Sequence, residues 1–246
     1  MSEVFSRNEL YWGEEVQSKL KDTSVAIFGL GGVGGFACEM LARAGVGAMT
    51  IVDFDTVSES NINRQLIALH STIGMKKTEL FEKRLKDINP DIKLNVITDF
   101  YLENFDFKNL DYVVDAIDTM KSKVNLLVKC YENNIPVISS MGAGNRVNPL
   151  ELYTCDISEI KNKKDTFVQN ILYQLSKKGI TSGIEVVISN EKARKPEKIV
   201  NTERITTSTG EEVEFRKITP SSTPFVASCS GIIISSIIVN KIMGNM

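Results

Sequence analysis

Two acids, Asp53 and Asp55, close an apolar run, and four polar residues, Asn61, Asn63, Arg64 and Gln65, follow within the stretch DFDTVSESNINRQ. Carboxylates suit ribose hydroxyls or a metal ion. Amide and guanidinium groups suit phosphate, the guanidinium as a planar fork. A nucleotide offers both kinds of partner. Upstream, Gly29, Gly31 and Gly34 form G-x-G-x-x-G directly after the apolar run SVAIF. Glycine allows positive φ and close approach of backbone to phosphate. A helix starting there aims N–H groups and partial positive charge at the anion. Asp53 lies about twenty residues further on, where a carboxylate can accept from ribose hydroxyls.

These features alone would fit NAD. Asn61, Arg64 and Lys77 argue instead for a triphosphate, because cations converging beyond the first ribose neutralise charge where pyrophosphate departs. Lys76 reads as solvated surface. Asp118, in DAIDT, follows an apolar run. A carboxylate at the carboxyl edge of a parallel sheet can hold Mg²⁺ on phosphates, and it can equally cap a helix beginning near Lys121. His70, the only histidine, is assigned no role.

The elements that must position these residues alternate between strand and helix. A helix is expected over 8–20, with Asn8 as a plausible cap. SVAIFG, AMTIVDFD, IKLNVIT, DYVVDAID and IPVISSMGAG read as strands, the first a continuous apolar run ending at glycine. Helices over 33–44, stopped by Gly45, and within MKKTELFEKRLKDIN and SKVNLLVKCYENN lie between them. That rhythm predicts a doubly wound, Rossmann-like, mainly parallel α/β sheet. After Gly144, NPLELYTCDI reads as an antiparallel addition, KNKKDTFVQNILYQLSKKGI as a helix and GIEVVISN as one more strand. The polar stretch 191–222 reads as a long, mobile loop, and a helix over 228–243 closes the chain. A single domain over 1–246 is expected, with a nucleotide-binding core at about 22–144 and substrate-side elements at 145–246.

With 246 residues, a hydrophobic share of 42% and a charged share of 24%, the chain can bury a sizeable core. A formal net charge of -2 gives no global attraction to nucleic acid, so an RNA contact would use a local patch. The stretch 161–217 is modestly basic and could track phosphates. Cys38, Cys130, Cys155 and Cys229 form no C-x-x-C pair, which argues against a zinc ribbon or a redox motif. They read as buried thiols in a reducing cytosol. Cys155 lacks the neighbouring His or cation that a thioester nucleophile needs. The amino terminus carries acids and no apolar run, unlike a signal peptide. The carboxy-terminal run GIIISSIIVNKIMGN reads as too short and too Ser-interrupted for a membrane span, so a cytoplasmic protein without stable membrane insertion is expected.

Taken in order, G-x-G-G-x-G, D-F-D, N-I-N-R-Q, G-M-K-K and D-A-I-D-T resemble the adenylating domain of ubiquitin-activating-type (E1-like) enzymes over about 5–144. The resemblance implies ATP-dependent adenylation of a carboxylate. It implies phosphate binding by Gly31 and its neighbours Gly29, Gly32 and Gly34, ribose binding by Asp53, and Asp55 near the ribose or phosphates. Asn61, Arg64 and Lys77, with Gln65 beside them, would stabilise the triphosphate and the leaving pyrophosphate, and Asp118 would support Mg²⁺. Arg7, in FSRNEL, matches an arginine that reaches into the partner subunit's site, which implies a homodimer. Within that family SSMGAGNRVNP, DISEIKNKKD and FVASCSGIIISSII look most like the tRNA threonylcarbamoyladenosine dehydratases. That likeness implies a tRNA carrying threonylcarbamoyladenosine as partner and ring closure with net loss of water. It leaves open a cysteine desulfurase or sulfur-acceptor partner. The sulfur-carrier adenylyltransferases typically carry two C-x-x-C pairs that this chain lacks, so activation of a carrier protein's terminal glycine is the alternative reading. A nucleotide-binding module without chemistry would be expected to have lost Arg64, Lys77 or Asp118, and all three are present.

Overall fold

The strands that carry the fold are short and rich in β-branched residues, and the inner ones bury both faces. In the computed structural model, which describes residues 3–99, 105–161, 165–194, 201–206, 212–217 and 220–244, seven strands form one sheet. They are β1 (Ser24–Phe28), β2 (Ala48–Val52), β3 (Lys93–Ile97), β4 (Tyr112–Asp115), β5 (Val137–Ser140), β6 (Leu152–Asp156) and β7 (Glu185–Ser189). Their order across the sheet is β3-β2-β1-β4-β5-β7-β6. All neighbours are parallel except the edge pair β6–β7. The expected doubly wound sheet with an antiparallel extension is present.

Side chains alternate between two cores, as the period of a strand requires. Val25, Ile27, Val114, Ile138 and Val187 face one core, and Ala26, Phe28, Val113, Val137 and Val186 face the other. The first core is closed by α1 (Ser6–Asp22), α2 (Gly34–Ala44), α3 (Lys77–Ile88) and α6 (Pro224–Met243). The second is closed by α4 (Met120–Glu132) and α5 (Thr166–Ser176). Helix α6 runs back from the far half of the chain onto α2. At their crossing Gly231 leaves room for backbone, because an added Cβ would stand 2.2 Å from the Val33 carbonyl oxygen.

Four expectations are corrected here. Helix α1 starts at Ser6 with Phe5 in the cap position, and Asn8 instead donates its Nδ2 to the Arg43 carbonyl at 2.8 Å. Asp118 is not the cap of α4, since Thr119 occupies that position. The stretch 191–222 is not wholly loop. It contains β8 (Asn201–Thr206) and β9 (Glu212–Lys217), an antiparallel pair separate from the main sheet. Their period-two pattern, NTERIT and EVEFRK, is diluted by charged residues. Residues 195–200, 207–211 and 218–219 lie outside the described residues. Finally, α6 begins at Pro224, and its 20 residues are long and apolar enough to cross a bilayer. Val226, Ala227, Ile234, Ile237 and Ile238 are nevertheless buried in this fold, which gives the apolar run a core to fill.

Candidate active site

Strand order reverses between β1 and β4, and parallel sheets bind ligands in the crevice at that point. Strand β1 runs into the glycine loop and β4 into residues 116–119. Gly29 has φ +89°, and a Cβ there would lie 2.8 Å from the Ala116 carbonyl oxygen. A Cβ on Gly34 would lie 1.8 Å from the Gly29 carbonyl oxygen. These two glycines are therefore demanded by packing. Gly31 is different: the only atom a Cβ would meet within 4 Å is Gln65 Nε2, at 3.7 Å. Space stays open beside this backbone, as approach by a phosphate requires. Gln65 is buried, and its Oε1 has no hydrogen-bond partner among the described residues. An orphaned buried acceptor costs about 1–3 kcal/mol, so a hydroxyl or amine brought by a ligand would relieve it.

Asp53, just past β2, is held by the backbone. Its Oδ2 accepts from Leu30 N at 2.6 Å and its Oδ1 from Asp55 N at 2.8 Å, which ties the acid to the glycine loop. Burial pushes its carboxyl above the usual range, against the opposing pull of Lys77 and these two N–H groups. Lys77 opens α3 and is buried. Its Nζ lies 2.8 Å from Asp55 Oδ2 and 3.9 Å from Asp53 Oδ2. Asp55 is half exposed, so the ammonium has a partner it can exchange.

Asn61 is buried in a short 3-10 turn, its Oδ1 accepting from Ser58 N at 3.1 Å. Arg64 follows. Its Nη1 donates to the Ser60 carbonyl and to Asn63 Oδ1, each at 2.8 Å. Its stem lies against Gly32, with Cγ 3.4 Å from where a Cβ would stand. Burial lowers the Arg64 pKa, and the nearby Asp118 carboxylate counters it. Asp118 itself is exposed and, among the described residues, receives a long contact, 3.4 Å, from the Thr119 hydroxyl. Among the described residues no group of three or more His, Cys, Asp or Glu forms a metal cage. A single exposed carboxylate fits a magnesium ion that arrives on phosphate oxygens.

The fold thus brings Gly29, Gly31, Gly32, Gly34, Asp53, Asp55, Asn61, Arg64, Gln65, Lys77 and Asp118 to one edge of the sheet. It does not bring Arg7 there. The start of α1 sits at the other end of α2, where Asn8 meets Arg43 and Phe5 meets Gly45. That is roughly 15 Å, one helix length, from the loop. The sequence reading grouped Asn63 with the phosphate-suited residues but did not foresee its bond to Ser222, and it passed over Asn145, Arg146 and the buried Asp115, Lys123 and Ser139. No local signal in the sequence marks these contacts. The thiols of Cys38, Cys130 and Cys155 are all pushed up, chiefly by burial, which leaves them protonated and poor nucleophiles.

The ThiF family model matches residues 5–238. The tRNA threonylcarbamoyladenosine dehydratase of Bacillus subtilis is 41% identical over 251 residues, covering 99% of this chain and 96% of that one. The molybdopterin-synthase adenylyltransferase of Escherichia coli is 38% identical over 127 residues, covering 50% of this chain and 51% of that one. Among solved structures, the E. coli tRNA N6-threonylcarbamoyladenosine dehydratase in complex with ATP superposes with a TM-score of 0.83 at 27% identity, over 98% of this chain and 93% of that one. The ordered motifs, the strand order and the full-length match agree: the chain belongs to the ThiF family.

Proposed function

We propose that this protein is an ATP-dependent, AMP-forming tRNA threonylcarbamoyladenosine dehydratase. The observation that carries the reading is the convergence of an open glycine loop, an exchangeable buried lysine, Arg64 and Asp118 at one crevice. Full-length similarity to the Bacillus subtilis dehydratase supports the substrate. A threonyl carboxylate is a poor electrophile. One of its oxygens attacks the α-phosphorus of the substrate ATP, the bond to pyrophosphate breaks, and an acyl-adenylate forms. The carbamoyl group of the same nucleoside then attacks the activated carbonyl and loses a proton. The bond to AMP breaks and the ring closes. The departing oxygen leaves in AMP, so the nucleoside loses one water. A tethered nucleophile has a high effective molarity, and no catalytic cysteine is needed.

In this reading Gly29, Gly31, Gly32 and Gly34 receive phosphates, and Asp53 the ribose, with Asp55 beside it. Asn61, Arg64, Gln65 and Lys77 hold the triphosphate and the departing pyrophosphate. Lys77 exchanges Asp55 for a phosphate oxygen as charge develops. Asp118 holds Mg²⁺, which supplies further charge neutralisation on the phosphates. Residues 22–144 form the nucleotide-binding part and 145–246 the substrate side of one domain. Arg7 serves a second copy of the chain. It is exposed, and Leu10 and Tyr11 on the same helix are 80% and 81% exposed, as a partner-facing surface would be. The protein works in the cytoplasm, and a cysteine desulfurase or sulfur acceptor would be an auxiliary partner.

The test is AMP release from ATP and Mg²⁺, with and without tRNA carrying threonylcarbamoyladenosine, followed by mass spectrometry of the nucleosides. ATP-dependent loss of one water is expected. AMP formation only with a Gly-Gly-tailed carrier protein would replace this reading with carrier adenylation.

A further inference from the structure

Just before α6, residues Pro220–Thr223 form a short strap that is fastened at both sides. On one side, Asn145 accepts from Ser221 N at 2.8 Å and from the Ser221 hydroxyl at 3.0 Å through its Oδ1, and donates its own N–H to the Ser221 carbonyl at 2.7 Å. The Thr223 hydroxyl donates to the Arg146 carbonyl at 2.8 Å. Arg146 is buried and gives this side a rigid base. Its guanidinium donates to the carbonyls of Gly142, Gly144 and Glu191 and pairs with Asp165, the cap of α5. On the other side, Asn63 Nδ2 donates to the Ser222 carbonyl at 2.8 Å. The same amide offers its Oδ1 to Arg64 Nη1.

A continuous chain of contacts thus runs from a buried base, through the strap, to the guanidinium assigned to the triphosphate. Asn63 is exposed, so its two hydrogen bonds replace bonds to water and contribute little to stability. What they do specify is direction. Asn63 can face Arg64 in one orientation only while Ser222 holds its other end. Asn145 shows the matching feature: it sits at φ +61°, a conformation unusual for a side-chain-bearing residue, and from it meets Ser221 with both backbone and side chain.

We infer that Asn63 and Asn145 are positioning residues that act together through the strap to hold Arg64 in its working orientation. The inference rests on the adenylating reading of Arg64. Asn63→Ala removes one end of the chain. Asn145→Gly removes the two side-chain bonds at the other end while keeping the backbone bond to Ser221, and glycine accepts the positive φ. Each single variant is expected to lower kcat for AMP formation about tenfold while ATP affinity stays within about twofold and the thermal midpoint is unchanged, because an interaction made in the transition state is lost. Contacts that act as one unit do not add, so the double variant should fall no further than the worse single variant. Unchanged kcat in either single variant, or losses that multiply to about a hundredfold, would overturn the inference. The orientation is also read without turnover. In ¹⁵N-arginine-labelled protein the Arg64 side-chain signal, assigned by its loss in Arg64→Ala, should shift and broaden in both variants, and an unmoved signal would overturn it as well. Wild-type protein that forms no AMP with the modified tRNA would instead remove the reaction reading, leaving the Arg64 signal to decide the strap.

Discussion

Two lysines are buried beside the candidate site, and they are built for opposite ends. Lys77 meets Asp55, whose side chain is 48% exposed. Lys123 meets Asp115 at 2.6 Å and Ser139 at 3.2 Å, and both members of that ion pair are 0% exposed. Asp115 is satisfied on every side, accepting also from the Ser139 hydroxyl and from Ile117 N. A dry, fully partnered charge gives up its partner only at the cost of a buried unpaired ion. A charge whose partner is wet can exchange it, because water takes over the carboxylate. Lys77 can therefore change partner, as its proposed role toward phosphate requires. Lys123 is fixed in place, and the backbone it stabilises through Asp115 is the turn that leads to Asp118.

The sharpest way to break this comparison is Lys77→Ala. AMP formation should fall at least about 10³-fold, roughly 4 kcal/mol of transition-state stabilisation. Circular dichroism should stay near wild type and the unfolding midpoint should fall less than in Lys123→Met, since Asp55 is left in water and Asp53 keeps its two N–H partners. Turnover retained in both Lys77→Ala and Arg64→Ala would sink the assigned roles. Lys123→Met should do the reverse, lowering stability by about 4 kcal/mol in urea unfolding, or roughly 10 °C in thermal midpoint, by stranding the Asp115 carboxylate. Adding Asp115→Asn should recover about half of that loss, because the charge is gone and the hydrogen bonds to Ile117 and Ser139 can persist.

Glu39 is an intermediate case that sharpens the contrast. This acid in α2 is buried, yet its partners Arg84 and Arg43 are 41% and 53% exposed. Burial raises its carboxyl, but the hydrogen bonds and charges of the two arginines outweigh that and hold it below the usual carboxylate range. A lowered acid stabilises the fold above its unfolded pKa and loses that contribution as pH falls through the folded value. Glu39→Gln should therefore cost about 1–2 kcal/mol at pH 7, discounted for the wet arginines, with the difference vanishing on acidification below the carboxylate range. A penalty independent of pH would assign the loss to packing alone.

Much of the central sheet and the chemistry of its crevice were legible in the sequence, for local reasons. SVAIF and VVIS are apolar on both strand faces, so they announce burial without further context. Gly29, Gly31 and Gly34 stand in one short window, as do Asn61, Arg64 and Gln65. Other features were not legible because their partners are remote. Asn63 finds the Ser222 carbonyl across 159 residues, and Asn8 leaves the cap role for the Arg43 carbonyl 35 residues away. Neither preference has a local trace. The β8–β9 pair was passed over because charged residues interrupt its period, and Arg146 because a lone arginine looks the same on a surface as in a buried hub. Sequence reading places residue types that act through neighbours; it does not see contacts made by closure of the chain.

The packing of α6 on α2 has a consequence for how the molecule is made. The glycine loop and its helix precede in the chain the helix that covers them, so they leave the ribosome before it. Until then Ala37, Leu41 and their neighbours lack the cover that α6 provides, and Gly32 lacks the Ala227 methyl that packs against it. A chain halted by a premature stop before Pro224 would carry every motif of the nucleotide crevice and still expose an apolar flank. Such a fragment is a substrate for chaperones and proteases. The cover over the glycine-loop helix is thereby completed only once α6 has been made.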